Sequence, residues 1–170
     1  AEIRVSTSAS NRNEEPQEGD PLILDIQGDG IELTGVSNGV LFDLNGDGRL
    51  EQTSFIQGDD AFLVLDRNAN GRVDSGRELF GDQNGAAHGY EELAKFDENG
   101  DGKISKVDSV YSTLRLFQDR NRNGQSEPGE LRGLDAFGIR EIGLGYQDVN
   151  ETTESGDRLV QRGTFTLKDG

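Results

Sequence analysis

Apolar residues in this chain come in short bursts between long polar stretches, and the character of the bursts changes midway. Residues 1–19 are polar, with only Ile3 and Val5 hinting at a period, and read as a flexible linker. From Pro21 the bursts are unbroken: Leu22-Ile23-Leu24, Val40-Leu41-Phe42 and Ala61 to Leu65, each bounded by glycine and aspartate. Runs of that length and punctuation predict strands. After His88 the apolar spacing lengthens to three and four, through Tyr90, Leu93 and Phe96, then Val107, Val110, Leu114 and Phe117, then Leu131, Leu134 and Phe137 with Gly138 as a C-cap. These stripes predict helices. Beyond Ile139, the segments Ile142-Gly143-Leu144, Leu159-Val160 and 164–167 read as strands around a polar connection at 148–157. The expected fold class is α+β, with short strands and hairpins around a helical segment, forming one module over residues 20–170 behind the linker.

Between the bursts, five stretches share one spacing of oxygen-bearing side chains around a glycine. They are Asp25-x-Gln27-x-Asp29-Gly30, Asp43-x-Asn45-x-Asp47-Gly48, Asp66-x-Asn68-x-Asn70-Gly71, Asp97-x-Asn99-x-Asp101-Gly102 and Asp119-x-Asn121-x-Asn123-Gly124. Ca²⁺ takes about six to eight hard oxygen ligands, and alternate residues of a tight turn can supply three while glycine at the sixth position permits the reversal. One such run is a weak signal, because Asp, Asn and Gly also build ordinary turns. Repetition makes the pattern an EF-hand-like calcium signature.

The last two loops have the fullest ligand sets. In 97–108 the candidates are Asp97, Asn99, Asp101, the Lys103 carbonyl, Ser105 and Asp108, the last shorter than the usual glutamate. In 119–130 they are Asp119, Asn121, Asn123, the Gln125 carbonyl, Glu127 and Glu130, with Ser126 where an apolar eighth residue is usual. The shared helix expected between them would keep these two from forming a side-by-side pair. In 66–78, Asp66, Asn68, Asn70, the Arg72 carbonyl and Asp74 fit, but the terminal acid, Glu78, stands at position 13 and calls for an enlarged loop. In 43–51, Asp43, Asn45, Asp47, the Arg49 carbonyl and Glu51 are candidates, and Ser54 replaces the acid at position 12. The first loop offers Asp25 and Asp29 without later ligands, so a polar turn between strands remains an alternative there.

Charge and composition narrow the partners. The chain has 170 residues, 33 acidic against 17 basic, and a net charge of -16, which disfavours nucleic acid and anionic membrane surfaces. Clustered acids should oppose folding until cations neutralise them. Cysteine is absent and His88 is the only histidine, so disulfides, a thiol nucleophile and a multi-histidine zinc site are excluded. No apolar run approaches the ~18 residues of a membrane span, and the first twenty residues lack the apolar core of a signal peptide. The chain reads as a piece of a longer, exported protein that is stabilised by metal.

One bond is chemically unusual. Of three prolines, only Pro21 follows an aspartate. The Asp20 carboxylate can reach its own carbonyl carbon and close a cyclic anhydride, expelling a proline nitrogen more basic than an ordinary amide leaving group. Asp20 lies five residues before Asp25, at most roughly 18 Å of extended chain, so cation-driven ordering of the first loop could align it. A plain domain boundary after a linker would also place Asp-Pro here.

The ordered combination Asp20-Pro21-Leu22-Ile23-Leu24-Asp25-Ile26-Gln27-Gly28-Asp29-Gly30-Ile31-Glu32, Phe42-Asp43-Leu44-Asn45-Gly46-Asp47-Gly48, Leu65-Asp66-Arg67-Asn68-Ala69-Asn70-Gly71, Gly76-Arg77-Glu78-Leu79-Phe80-Gly81-Asp82 and Gly163-Thr164-Phe165-Thr166 resembles the self-processing module of FrpC-type RTX proteins. The resemblance implies type I secretion, an extracellular or cell-surface location, folding on external calcium and single-turnover cleavage of the Asp-Pro bond ahead of the module. By position, Asp20 is then the nucleophile and new C-terminus, and Pro21 the leaving group and new N-terminus. It further implies capture of the activated aspartyl group by a lysine amine of this or another chain, monomeric until cross-linked. Gln27 stands where such modules commonly have Asp, several loops have Asn at the fifth position, and no RTX nonapeptide array is present. A non-catalytic calcium-folded module of an adhesin or toxin, or a dockerin-like binding domain, are the alternatives. The strand-rich first half and the lack of a clean duplicated unit argue against the dockerin.

Overall fold

A computed structural model of the protein describes residues 2–7, 21–35, 37–44, 46–80, 89–127, 129–152 and 158–168. Among these, the strands are β1 (Glu2–Thr7), β2 (Leu22–Asp25), β3 (Val40–Phe42), β4 (Glu51–Thr53), β5 (Ala61–Leu65), β6 (Lys103–Ser105), β7 (Leu114–Phe117), β8 (Leu131–Gly133), β9 (Ile139–Thr152) and β10 (Arg158–Leu167), with one α-helix, α1 (Gly89–Ala94). Eight strands make one antiparallel sheet in the order β6-β9-β10-β1-β2-β5-β7-β8, and β3 with β4 makes a separate hairpin.

Two of the unbroken apolar runs, β2 and β5, lie where the sheet is covered on both faces, whereas the third, Val40–Phe42, forms β3 outside this sheet and exposes Leu41. Leu22, Leu24, Leu63 and Leu116 enter one core together with Tyr90 and Leu93 of α1. Their neighbours Ile23, Phe62, Val64 and Phe117 enter a second core, with Phe42, Phe55 and Val73 from the β3–β4 side. Strands buried on both faces have no polar face to alternate with, so they appear in sequence as continuous bursts.

The fold is therefore mostly β, and the α+β expectation with a central helical segment is overturned. Only Tyr90 and Leu93 of the three apolar stripes lie in an α-helix. The stripe from Val107 to Phe117 breaks into a 3₁₀ turn at Ser109–Ser112 and the strand β7, which pairs with β5 through Phe62↔Phe117 and Leu65↔Leu114. Val107 itself points to solvent. Leu131 belongs to β8, and Leu134–Phe137 is a second 3₁₀ turn that Gly138 ends in the left-handed conformation. The physical reason is tertiary: Leu114-Arg115-Leu116-Phe117 satisfies a helical spacing and a two-sided strand equally, and pairing with β5 decides between them.

The stretch read as a linker contributes β1, whose backbone pairs with both β10 and β2. Residues 1 and 8–19 of it lie outside the described residues. At its start β2 is held from the side as well. The Leu22 amide donates to the Phe80 carbonyl at 2.8 Å. A Cβ on Gly89 would stand 2.6 Å from Leu22 Cγ, so α1 lies close upon the head of β2 and only glycine fits there.

Candidate functional site

Among the described residues, all five acid loops share one hydrogen-bond pattern. The first aspartate of each accepts the amide N–H groups of the fifth and sixth residues on its two oxygens, at 2.6 to 3.3 Å. In four loops the side-chain oxygen of the fifth residue, Asp47, Asn70, Asp101 or Asn123, accepts the N–H of the seventh, Arg49, Arg72, Lys103 or Gln125. The sixth glycine has a positive φ in every case, from 72° at Gly124 to 109° at Gly30. Such turns fold the side-chain oxygens of alternate residues toward one centre while the backbone amides are satisfied on the outside.

Three of these loops close on themselves in one way. Glu78 accepts the N–H groups of Arg67 and Asp74 at 3.1 and 2.7 Å, Asp108 those of Glu98 and Ser105 at 2.9 and 3.0 Å, and Glu130 those of Arg120 and Glu127 at 3.0 and 3.1 Å. In each loop the donors are the second and ninth residues, so Glu78 at position 13 does the work of an acid at position 12. The extra residue is absorbed by the 3₁₀ turn Gly76–Glu78, capped by Ser75. Asp97, Asp101 and Asp108 each bring a carboxylate oxygen to within 4.8 Å of the others. In 66–78 and 119–130 the amides of Asn68, Asn70, Asn121 and Asn123 donate to the ninth-position acid, Asp74 or Glu127.

The fifth loop is joined to the third. Val73 and Ser126 are the eighth residues of 66–78 and 119–130, and the Val73 amide donates to Ser126 Oγ at 2.8 Å. The polar eighth residue therefore has a function: it joins the fifth loop to the third. The fourth loop instead sends its residues 103–105 into the sheet as β6, with Ile104 opposite Ile142. In the second loop Asp43, Asp47 and Glu51 lie within 4.8 Å of one another, while Ser54 is turned away to accept the Gly35 N–H. Asn45 lies outside the described residues.

The first loop gathers acids that the sequence reading missed. Asp25 and Asp29 share their 4.8 Å cluster with Asp59 and Asp60, from the turn before β5. Their sequence signal is only Gly58-Asp59-Asp60 ahead of an apolar run, which becomes informative once β2 is known to pair with β5. Burial raises the Asp60 carboxyl to about 8, with the charges of Asp59, Asp25 and Glu32 adding to the rise and the Glu32 amide opposing it. Burial likewise raises Glu51, Glu78 and Asp119 above the ordinary carboxylate range.

The donor set is carboxylate, amide and carbonyl oxygen, and Asp60 Oδ1 and Glu51 Oε2 are buried without a hydrogen-bond partner. That chemistry fits a hard divalent cation such as Ca²⁺, the ion the loop residues would hold. Pro21, the other candidate, is buried at the head of β2, and Asp20 lies outside the described residues. No helix among the described residues is long and apolar enough to cross a membrane.

The family model of the SPM domain matches residues 22–170. Iron-regulated protein FrpA of Neisseria meningitidis serogroup C is 43% identical over 159 residues, which cover 89% of this chain and 14% of that protein. The chain thus corresponds to a small part of this relative's length. Both matches agree with the RTX-type resemblance, and the chain belongs to the SPM domain family.

Proposed function

We propose that the chain is a calcium-triggered self-cleaving module of an exported RTX protein, which breaks its own Asp20-Pro21 bond. The observation that carries this reading is the position of the bond. It stands directly before residue 22, where the family match begins, and its proline is buried at the head of a strand that ends in the first acid loop. Bound cations would supply the positive charge that lets the buried loop acids stay ionised in the fold.

The chain's own groups then do the chemistry. β2 is hydrogen-bonded to β1 and β5, and the Leu22 amide is tied to Phe80, so the proline side of the bond is fixed. One Asp20 carboxylate oxygen attacks the Asp20 carbonyl carbon, the C–N bond to Pro21 breaks, and the proline nitrogen leaves with a proton taken from solvent. The resulting cyclic anhydride opens with water to give a C-terminal aspartate. With a neutral lysine amine it opens to an amide, and the amine's proton passes to the released carboxylate.

The lysines favour acceptors on other chains. Lys95 pairs with Glu92 at 2.6 Å, Lys103 with Glu141 at 3.0 Å, and Lys106 and Lys168 with Asp135 at 3.4 and 3.0 Å. The hydrogen bond to Glu141, then its charge, holds the Lys103 amine above its ordinary pKa, which lowers its neutral fraction.

Peptide mapping by mass spectrometry after calcium addition tests the reading. The wild-type chain should yield a fragment ending at Asp20 and one beginning at Pro21, and Asp20→Asn should fold yet stay uncut, a rate loss of at least a hundredfold. Pro21→Ala should also slow the reaction. Cleavage of Asp20→Asn at the wild-type rate would defeat the anhydride route, and an intact wild-type chain would leave a purely structural calcium module.

A further inference from the structure

The loop at Asp25 has no acid of its own at the ninth or twelfth position, and the sheet supplies what is missing. β2 and β5 pair antiparallel through Ile23↔Phe62 and Leu24↔Ala61, so continuing the register by one residue sets Asp25 opposite Asp60. Both are only 1% exposed. Like charges directly opposite one another on neighbouring strands are destabilising, and here the pair is also withdrawn from water.

The two acids are satisfied unequally. Asp25 accepts three amides, from Gly28, Asp29 and Gly30. Asp60 accepts the Glu32 amide on Oδ2, while its Oδ1 is buried and accepts nothing. Asp59 Oδ2 takes the Gln27 amide at 2.8 Å and so is drawn against the same loop. No basic side chain pairs with any of the four acids among the described residues. A buried carboxylate oxygen left without a partner is among the costlier defects a fold can carry, and four carboxylates without a counter-charge compound it.

We infer that Asp25, Asp29, Asp59 and Asp60 form a hard-cation site, taking Ca²⁺, that clasps β2 to the turn preceding β5. It differs from the self-closed loops in that its ligands come from two segments at least thirty residues apart. Only Leu22, Ile23 and Leu24 separate it from Pro21, so it is the acid cluster nearest in sequence to the Asp20-Pro21 bond. Its filling fixes the strand on which that bond hangs. This last coupling rests on the self-cleavage reading; the cation site does not.

The test is equilibrium dialysis of the full 170-residue chain against Ca²⁺, counting bound ions in wild type, Asp29→Asn, Asp60→Asn and, as a control in another loop, Asp97→Asn. Asp29 is exposed, so its variant should fold even if Asp60→Asn does not. Asp29→Asn should bind one ion fewer or at least tenfold more weakly, and Asp29→Asn/Asp97→Asn should show both losses. An unchanged count and affinity in Asp29→Asn, or in folded Asp60→Asn, overturns the site. A lowered count with cleavage at the wild-type rate keeps the site and removes the coupling. A wild-type chain that binds but is never cut leaves the site standing and defeats the function proposed above.

Discussion

The loops at Asp66, Asp97 and Asp119 find their closing carboxylate within thirteen residues of their first aspartate, whereas the loop at Asp25 takes its from the turn before β5. In the first group a single segment of chain carries the whole set of oxygens, so each set can assemble locally. The loop at Asp25 is complete only once β2 and β5 are paired. The loop at Asp43 lies between the two types, with Glu51 at the start of β4 as its third acid and its Asp43 carbonyl accepting the Gly76 amide of the next loop at 2.8 Å. Local closure suits a part of the molecule that folds on binding. Closure across the sheet suits a part that reports whether the fold is complete.

The largest expected effect is removal of the cation. The acids at 1–8% exposure include Asp25, Asp43, Asp60, Glu78, Asp108, Asp119 and Glu130, in a chain of net charge -16. In excess chelator at pH 8 the chain should lose most of its structure by circular dichroism, and millimolar Ca²⁺ should restore it. Each site filled at a hundred times its Kd contributes about 2.7 kcal/mol. Protons should substitute in part. The carboxyls of Asp60, Glu51, Glu78 and Asp119 are raised in the fold, so the stability they contribute is complete below unfolded values of about 4 and is lost as pH rises, up to about 8 for Asp60. Lowering the chelated protein from pH 8 to 5 should therefore recover helix and strand signal. Further acidification works against this, because Glu98 and Asp135, lowered by Ser109 and by the lysines respectively, then lose their partners. A cooperative thermal transition in chelator at pH 8 that matches the calcium-loaded one would erase the distinction between the two kinds of loop.

Much of the site was legible because a loop is a local object. The spacing of Asp119, Asn121, Asn123 and Glu130 is visible in sequence, and in the structure each accepts a backbone amide of its own loop. Asp60 was invisible because its partner is set by strand register, which sequence spacing does not carry. The same limit governed the fold. Leu114 and Phe117 sit at a helical interval, but the choice between helix and strand was made by Phe62 and Leu65 across the sheet. Ser126 looked like a departure from the loop pattern, and its role appeared only when Val73 was found beside it.

A middle-sized effect should separate the two loop types directly. Glu130 closes its loop with two charge-assisted hydrogen bonds, so Glu130→Gln should weaken that closure by about 2 kcal/mol, raising the calcium midpoint of folding more than tenfold. Glu78→Gln should behave alike, since its contacts are the same at position 13. Circular dichroism titration with Ca²⁺ measures both. If Glu78→Gln were silent while Glu130→Gln was not, the extra residue in the third loop would have displaced its closing acid from the ion after all.

The smallest effect concerns the fourth position of these loops. Three of them place glycine there with positive φ, at Gly28, Gly46 and Gly100, but Ala69 and Arg122 adopt φ 57° with a side chain attached. A left-handed conformation costs an L-residue about 1–2 kcal/mol, while glycine gives back about 0.5–1 kcal/mol through the greater freedom of its unfolded chain. The net gain from Ala69→Gly should therefore be about 0 to 1.5 kcal/mol, a lowering of the calcium midpoint by at most roughly twelvefold. Gly100→Ala is the mirror experiment in the fourth loop. Its φ is 67° and nothing lies within 4 Å of the added Cβ, so any loss would come from the backbone alone. The pair of variants should shift the midpoint in opposite directions. If both left it unchanged, conformational strain at this position would be ruled out as a source of the affinity differences among the loops, and the number and source of their carboxylates would remain as the cause.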